Sequence, residues 1–307
     1  MSELLVYRNG ELVPDSQAAI SIHDGGFLLG DSVYEAVRTF RFVPFQLEPH
    51  LDRLWRSLTY ARIDPGMSRP ELRQAVMMTL EANRPLLEDD VWLYIYITRG
   101  RFVNNVQYYL PASAEERRPT IIIFCRPLPF AAFARGYEQG VHAVIPPSRH
   151  LPPQCLDPKL KTGSRMHLVL AEFEARLVDP EAWSLILDIH GNLTENKSGN
   201  VFVVKDGALY TPPAEGILAG ITRATVLELA GRLGIPAYER PLQAYHALTA
   251  DEAFFTSTGY CIMPITRINK IVIGDGRPGP ITRRLLTAWG EMVGIDLVEQ
   301  ARRHLRA

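Results

Sequence analysis

The chain has 307 residues, 47% hydrophobic and 22% charged, enough for one large or two moderate domains with a sizeable core. Its net charge of −1 gives no basic field for non-specific nucleic-acid binding, and no apolar run is long enough to span a bilayer. No signal peptide is visible at Met1-Ser2-Glu3-Leu4-Leu5, and Cys125, Cys155 and Cys261 form neither a metal spacing nor a disulfide framework, so a cytoplasmic protein with small-molecule partners is expected.

In chain order, Leu5-Val6-Tyr7 and Glu11-Leu12-Val13 flank Arg8-Asn9-Gly10, and Asn-Gly favours the positive φ angles of a tight hairpin. Ile20-Ser21-Ile22 reads as a short strand before the Gly-rich stretch 23–31. Residues 32–40 alternate as a strand, with Tyr34, Ala36 and Arg38 on one face and Val33, Glu35 and Val37 on the other. A helix is expected from about Pro49, burying Leu51, Leu54, Trp55 and Leu58 and leaving Arg53 off that stripe. Ser68 and Glu71 make a capping box for the next helix, with Leu72, Ala75, Val76, Thr79 and Leu80 inward. Residues 91–98 and 120–125 are strand-like, the second an Ile-rich run suited to burial.

Residues 127–136 are Pro-punctuated and lack clean periodicity. They read as the connection between a smaller domain at 1–126 and a larger one at 137–307, which carries Lys159 and Lys161. A strand at about 141–145 and a Pro-rich loop lead to the stretch 156–165, a turn punctuated by Pro158 and Gly163. After it, Met166, Val169, Leu170, Phe173 and Leu177 recur at helical spacing and are expected to form a buried side. A lysine desolvated at an apolar wall favours its neutral amine, which can attack a carbonyl, but either lysine by itself reads as a surface charge. Residues 183–188 and 200–204 read as strands, and Asp206-Gly207 turns into Leu209-Tyr210. A helix runs from near Thr222 to Gly234, with Pro236 as its stop. Further strands are expected at 252–256 and 262–268, and a last long helix from near Pro280. Strands and helices mix without a steady βαβ beat, which predicts an α+β fold.

Gly274-Asp275-Gly276-Arg277-Pro278-Gly279 fits a dinucleotide-binding glycine pattern, but too little chain follows it for the rest of that unit, and a turn is the simpler reading. The eight histidines show no metal-ligand spacing. What remains is a set of parts that suits a carbonyl cofactor with a pyridine ring and a phosphate. Such a group needs a lysine, an acid for the ring nitrogen and an anion site. Glu195 is a candidate acid on a small-polar loop. The helix start at Gly220-Ile221-Thr222-Arg223 and the hydroxyls and amides of Thr256-Ser257-Thr258-Gly259 are candidate anion sites, and Arg53 is a candidate cation.

Together these stretches resemble the class IV aminotransferases, the fold-type IV pyridoxal-phosphate enzymes that include branched-chain and D-amino-acid aminotransferases and aminodeoxychorismate lyase. The resemblance rests on Asp24-Gly25-Gly26-Phe27, Gly30-Asp31 and Val33-Tyr34-Glu35; on His50 to Leu54; on Leu156-Asp157-Pro158 through Lys161-Thr162; on Leu193-Thr194-Glu195 and Gly199-Asn200-Val201-Phe202; and on Gly220 to Arg223 and Ser257-Thr258. It implies a two-domain fold with the active site between the domains, a homodimer, and pyridoxal 5′-phosphate as cofactor. Lys161 would form the Schiff base, the family's spacing to Ala175 favouring it over Lys159. Glu195 would pair with the pyridine nitrogen. Arg53, Thr258 and the amides of Ile221 and Thr222 would hold the phosphate. Tyr34 would line the substrate pocket, with Tyr94 and Gly259 as further substrate-side positions; Arg38 reads equally as a carboxylate partner or as a structural ion pair. The implied activity is transfer of an amino group to a 2-oxo acid, branched-chain-like by default, with D-amino-acid or (R)-amine transamination and the lyase as alternatives; a scaffold that has lost catalysis is the alternative of another class. Three departures stand out. Ser164-Arg165 occupy the place of a common Asn-Tyr, Leu29 and Tyr94 align where branched-chain enzymes tend to have Tyr and Arg, and Phe102-Val103-Asn104-Asn105 follow Arg101 where D-amino-acid enzymes tend to have an Arg and a His.

Overall fold

Asn9 and Gly10 take φ angles of 48° and 103° and close the hairpin of β1 (Leu5–Arg8) and β2 (Glu11–Pro14) that the Asn-Gly pair predicts. The structure, a computed structural model, describes residues 3–101 and 118–305. Its contacts divide the chain into two units, Met1–Leu128 with Leu160–Ser164, and Pro129–Lys159 with Arg165–Ala307.

In the first unit, α1 (Gly25–Leu29), β3 (Ser32–Phe40), β4 (Val43–Pro44), α2 (Leu47–Ala61), α3 (Arg69–Asn83), β5 (Val91–Thr98) and β6 (Ile121–Pro127) follow the hairpin. The sheet runs β2-β1-β6-β5-β3-β4 with every pair antiparallel. One face carries Val37, Leu93, Ile95, Ile97 and Ile123 into a core with Leu51, Leu54 and Leu58 of α2 and Leu72, Val76 and Leu80 of α3. The Ser68–Glu71 capping box is present. Helix α2 starts two residues before the expected Pro49, so the proline lies in the first turn, where an N–H has no helical partner to lose. The stretch 20–22 is not a strand: Ile20 and Ile22 are 48% and 67% exposed, because β-branched side chains alone make no strand without a neighbour to pair with. The Gly-rich stretch holds α1, capped by Asp24, whose carboxylate accepts from Gly26 N at 2.7 Å and from Thr98 Oγ1 at 2.9 Å.

The second unit comprises α4 (Phe130–Gln139), β7 (Val141–Val144), α5 (Met166–Val178), β8 (Trp183–Ser184), β9 (Asn200–Lys205), β10 (Ala208–Thr211), α6 (Ile221–Arg232), β11 (Ala237–Glu239), α7 (Ala244–Leu248), β12 (Glu252–Ser257), β13 (Cys261–Ile268), β14 (Ile271–Val272), α8 (Pro280–Val293) and α9 (Leu297–Arg303). Its sheet runs β11-β10-β9-β12-β13-β7-β8, with β14 on β13. Parallel pairs at β10/β11, β13/β7 and β7/β8 join antiparallel ones. Mixed pairing of this kind, with helices on the sheet, is the α+β architecture expected.

Three expectations change here. Residues 130–139 form a helix, not an irregular connection: Phe130, Phe133, Ala134 and Tyr137 are buried at positions i, i+3, i+4 and i+7, a periodicity masked by the prolines before it. The strand expected over 183–188 is regular only at Trp183–Ser184, and Leu187 continues as isolated bridges to Arg149 and Leu193. The apolar side of α5 is not buried in this chain. Ala171, Glu172 and Ala175 face inward, while Met166, Leu170, Phe173 and Leu177 are 71%, 50%, 62% and 88% exposed. Small side chains let the helix lie close to β7 and β8, and Ala175 packs with Val144 and Ala182. Gly274 to Gly279 is the turn expected, and Asp296 caps α9 through the amides of Val298 and Glu299.

Candidate functional site

Strand alternation sends Glu35 to the α2 side of the first unit's sheet, into apolar surroundings where a carboxylate needs partners. It finds them on one face of α2. Arg53 donates from Nε to Oε1 at 2.7 Å and from Nη2 to Oε2 at 2.9 Å, and His50 Nδ1 meets Oε2 at 2.7 Å. All three are buried, so the expectation that Arg53 stands off the helix's buried stripe is corrected: it lies inward and is satisfied by Glu35. Burial pushes the Glu35 carboxyl up, but Arg53 first and His50 second outweigh this and hold it well below the usual carboxylate range. Burial, with the charges of Arg53 and Lys161, holds the His50 ring toward its neutral form against the pull of Glu35. A neutral ring with its proton on Nδ1 satisfies the contact.

The segment carrying Lys161 adds to the edge of this unit at the start of β3. Tyr34 N donates to Lys161 O at 2.9 Å, Gly163 N donates to Ser32 O at 2.9 Å, and Val33 bridges Thr162. Gly163 permits this approach, since a Cβ there would sit 2.2 Å from Ser32 Oγ. Lys161 N also donates to Ser57 Oγ on α2 at 3.3 Å, and Lys161 Nζ lies 4.6 Å from the centre of the Tyr34 ring. Lys159 is different: its side chain is 51% exposed and its Nζ is 3.7 Å from Asp157 Oδ2. Tyr34 stacks on Tyr96 at 5.0 Å, and Tyr94 continues the aromatic row, stacking on Phe124 at 5.1 Å. Arg38, four residues along β3, is buried with its guanidinium 4.5 Å from the Phe40 ring centre. Leu29 is 49% exposed at the end of α1, and the departure at residues 102–105 lies outside the described residues.

In the second unit, Glu195 is 6% exposed and opens a tight turn into β9, where it bridges Asn200. Its Oε1 accepts from Leu218 N at 3.2 Å and lies 3.2 Å from His150 Nε2; its Oε2 accepts from Asn200 Nδ2 at 3.3 Å. Asn200 is the hub. Its Nδ2 also donates to Leu218 O at 3.0 Å, and it stands opposite Thr256 of β12 in register. Its Oδ1 packs on Gly220, where a Cβ would come within 2.0 Å. Gly220 is the N-cap of α6 and provides no capping side chain, so the first-turn amides of Ile221 and Thr222 are suited to an oxyanion. Thr256 Oγ1 is buried with no hydrogen-bond partner among the described residues. Thr258, half-buried, and Gly259, buried, form the turn between β12 and β13. Within this unit Glu195, the start of α6 and the end of β12 are thus held together, and within the first Lys161 meets Tyr34 while Arg53 meets Glu35.

Glu35, His50, His150 and Asn200 carry no expected role in the sequence. For Glu35 a signal existed: a carboxylate at an apolar strand position demands a buried cation, and His50 and Arg53 stand three apart on the following helix. For His150 and Asn200 nothing local announces the contact. Arg165, unexplained in the sequence, donates through Nη2 to Lys197 O, and Lys197 Nζ lies 3.3 Å from Glu172 Oε1, which ties the start of α5 to the loop after Glu195.

Comparison with known proteins gives a consistent picture. The profile of the family described as amino-transferase class IV matches residues 32–268. A putative branched-chain-amino-acid aminotransferase of Methanocaldococcus jannaschii is 34% identical over 93% of this chain and 97% of its own length. A D-alanine aminotransferase of Bacillus licheniformis is 31% identical over 91% of this chain and 94% of its own length. The crystal structure of the Escherichia coli branched-chain amino acid aminotransferase superposes with a TM-score of 0.87 at 28% identity, covering 95% of each chain.

Proposed function

The chain belongs to the class IV aminotransferase family, and on that premise we propose that it is a pyridoxal-phosphate-dependent aminotransferase of branched-chain type, moving an amino group from a small amino acid to a 2-oxo acid in a ping-pong cycle. The observation that carries the assignment of its reactive amine is the contrast between two neighbouring lysines. Lys161 is pinned by its backbone to β3 with its Nζ over the Tyr34 ring, while Lys159 points into solvent beside Asp157.

The donor groups fit that cofactor. An uncapped helix start, the partnerless Thr256 hydroxyl and Thr258 offer donors suited to a phosphate, and Arg53 adds a cation fixed in orientation by Glu35. Glu195 accepts from Leu218 and Asn200 and meets His150, and a carboxylate with about four lone-pair sites keeps capacity for a ring N–H. When bound, pyridoxal phosphate supplies an electron sink and a carbonyl carbon that carries the amino group between substrates. The protein's share is to hold and to move protons. Lys161 Nζ would take the proton from the substrate carbon and deliver it to the cofactor carbon that receives the amino group, and would carry a proton the opposite way in the second half-reaction. Glu195 would accept a hydrogen bond from the ring nitrogen, and Tyr34 and Tyr94 would offer aromatic walls to an apolar side chain. Arg38 belongs to the same strand face as Tyr34, and its burial over Phe40 supports a structural part in that wall.

A homodimer in the cytoplasm is part of this proposal. The exposed stripe of Met166, Leu170, Phe173 and Leu177 on α5 is apolar surface of the kind that a second copy buries.

The test is a half-reaction screen on the purified protein. It should be yellow, and L-leucine, L-isoleucine and L-valine should bleach the colour and release their 2-oxo acids. Borohydride should fix the cofactor on Lys161. A protein that takes up no pyridoxal phosphate would refute the enzyme reading, attachment at Lys159 the lysine assignment, and turnover of D-alanine or (R)-phenylethylamine alone the branched-chain assignment.

A further inference from the structure

His150 is 5% exposed, and both of its ring nitrogens face acceptors. Nδ1 is 3.0 Å from Leu151 O, and Nε2 is 3.2 Å from Glu195 Oε1. A carbonyl oxygen can only accept, so Nδ1 carries a proton. A neutral imidazole has one proton, and with that proton on Nδ1 the Nε2 lone pair would point at a carboxylate oxygen. Two lone pairs face to face in a buried site are unfavourable, and the contact is attractive only with a second proton on the ring. The surroundings fit. Asp188 adds negative charge near the ring, whereas His167, whose ring stands edge-on at 5.4 Å, is held toward its neutral form by burial first and by the charges of His150 and Arg165, against Glu195.

We propose that His150 is a positioning residue for Glu195: with a proton on each ring nitrogen it spans the Leu151 carbonyl and the carboxylate, fixes the carboxylate's orientation, and makes that orientation depend on the imidazole proton. Burial favours the neutral ring, but the hydrogen bond and charge of Glu195, then Leu151 and Asp188, more than offset it and hold His150 above the ordinary histidine value of 6.5. The link is therefore complete below pH 6.5 and is lost as pH rises through the raised value. On the aminotransferase reading, on which this consequence rests, Glu195 faces the cofactor's ring nitrogen, so loss of the His150 proton alters the bound cofactor's spectrum.

Two measurements test this. In protein labelled with isotopic histidine, the ring signal absent from His150→Gln belongs to His150. Its titration midpoint should lie above the ordinary histidine value of 6.5. In Glu195→Gln it should fall below the wild-type midpoint, because the largest of the raising influences is removed while burial remains. A wild-type midpoint at or below 6.5, or one unmoved by Glu195→Gln, overturns the proposal whatever the protein's activity. In the cofactor-loaded protein, the visible spectrum should step at the His150 midpoint. His150→Gln should remove the step, and His150→Arg, with a permanent charge, should hold the low-pH spectrum through it. A step unchanged in both variants overturns the proposal. Failure to take up the cofactor overturns the aminotransferase reading instead, and the ring titration still decides the role of His150.

Discussion

Lys159 and Lys161 differ in nothing but their surroundings. Lys159 pairs loosely with Asp157 in solvent, whereas the backbone of Lys161 is hydrogen-bonded to Tyr34 and its ammonium group lies over that ring. Replacing Lys161 with Ala should lower the rate of either half-reaction by more than about 10²-fold, the scale of a lost proton-transfer group, while circular dichroism stays native. Lys159→Ala should change stability by less than about 1 kcal/mol and leave the half-reactions intact, as for other exposed ion pairs. Glu35 presents the opposite case, a fully buried charge whose removal leaves Arg53 without its carboxylate. Glu35→Gln should cost about 3–5 kcal/mol in urea unfolding at neutral pH and weaken cofactor binding, because Arg53 loses its orientation. The sign of its pH dependence follows from the lowered Glu35 value. The stabilisation is present above 4.5, the ordinary carboxylate value, and is lost as pH falls through the lowered one, so wild type and variant should converge in strong acid.

Helix α5 shows how an element can be read correctly and its environment wrongly. The apolar residues recur at helical spacing and the helix forms over Met166–Val178. Its inward face, however, is Ala171, Glu172 and Ala175, and the Glu172 carboxylate is satisfied by Ser184 N and Oγ, each at 3.1 Å. Periodicity tells that a helix has two faces; it does not tell whether a large apolar face meets its own chain or another. If a second copy covers it, Phe173→Glu combined with Leu177→Glu should convert a particle of twice 34.5 kDa to one of 34.5 kDa in light scattering, with helix content unchanged. A wild-type protein that already runs at 34.5 kDa would refute the dimer. Helix α4 is the converse: its stripe of Phe130, Phe133, Ala134 and Tyr137 is regular, but prolines at 127 and 129 give the segment the look of a linker. Those prolines end a strand and precede a helix, which is where proline is tolerated.

At the scale of the whole molecule, composition, patterning and turn residues determined a great deal. Hairpin turns at Asn9-Gly10 and Asp206-Gly207, the capping box at Ser68, the long strands and most helices follow from local chemistry, and so does the mixed α+β class. The family resemblance rests on ordered motifs and agrees with the class IV amino-transferase match over residues 32–268. Tertiary structure alone decided which groups meet. Glu35 and Arg53 are 18 residues apart and share two hydrogen bonds, Lys161 and Tyr34 join across a far longer separation, and His150 reaches Glu195 through no local pattern. The physical reason is one of range. Turn geometry, capping and periodicity act over a few residues and can be read along the chain. Burial of a charge is settled by whatever the fold brings against it, and that partner carries no mark in the sequence of the role it will have.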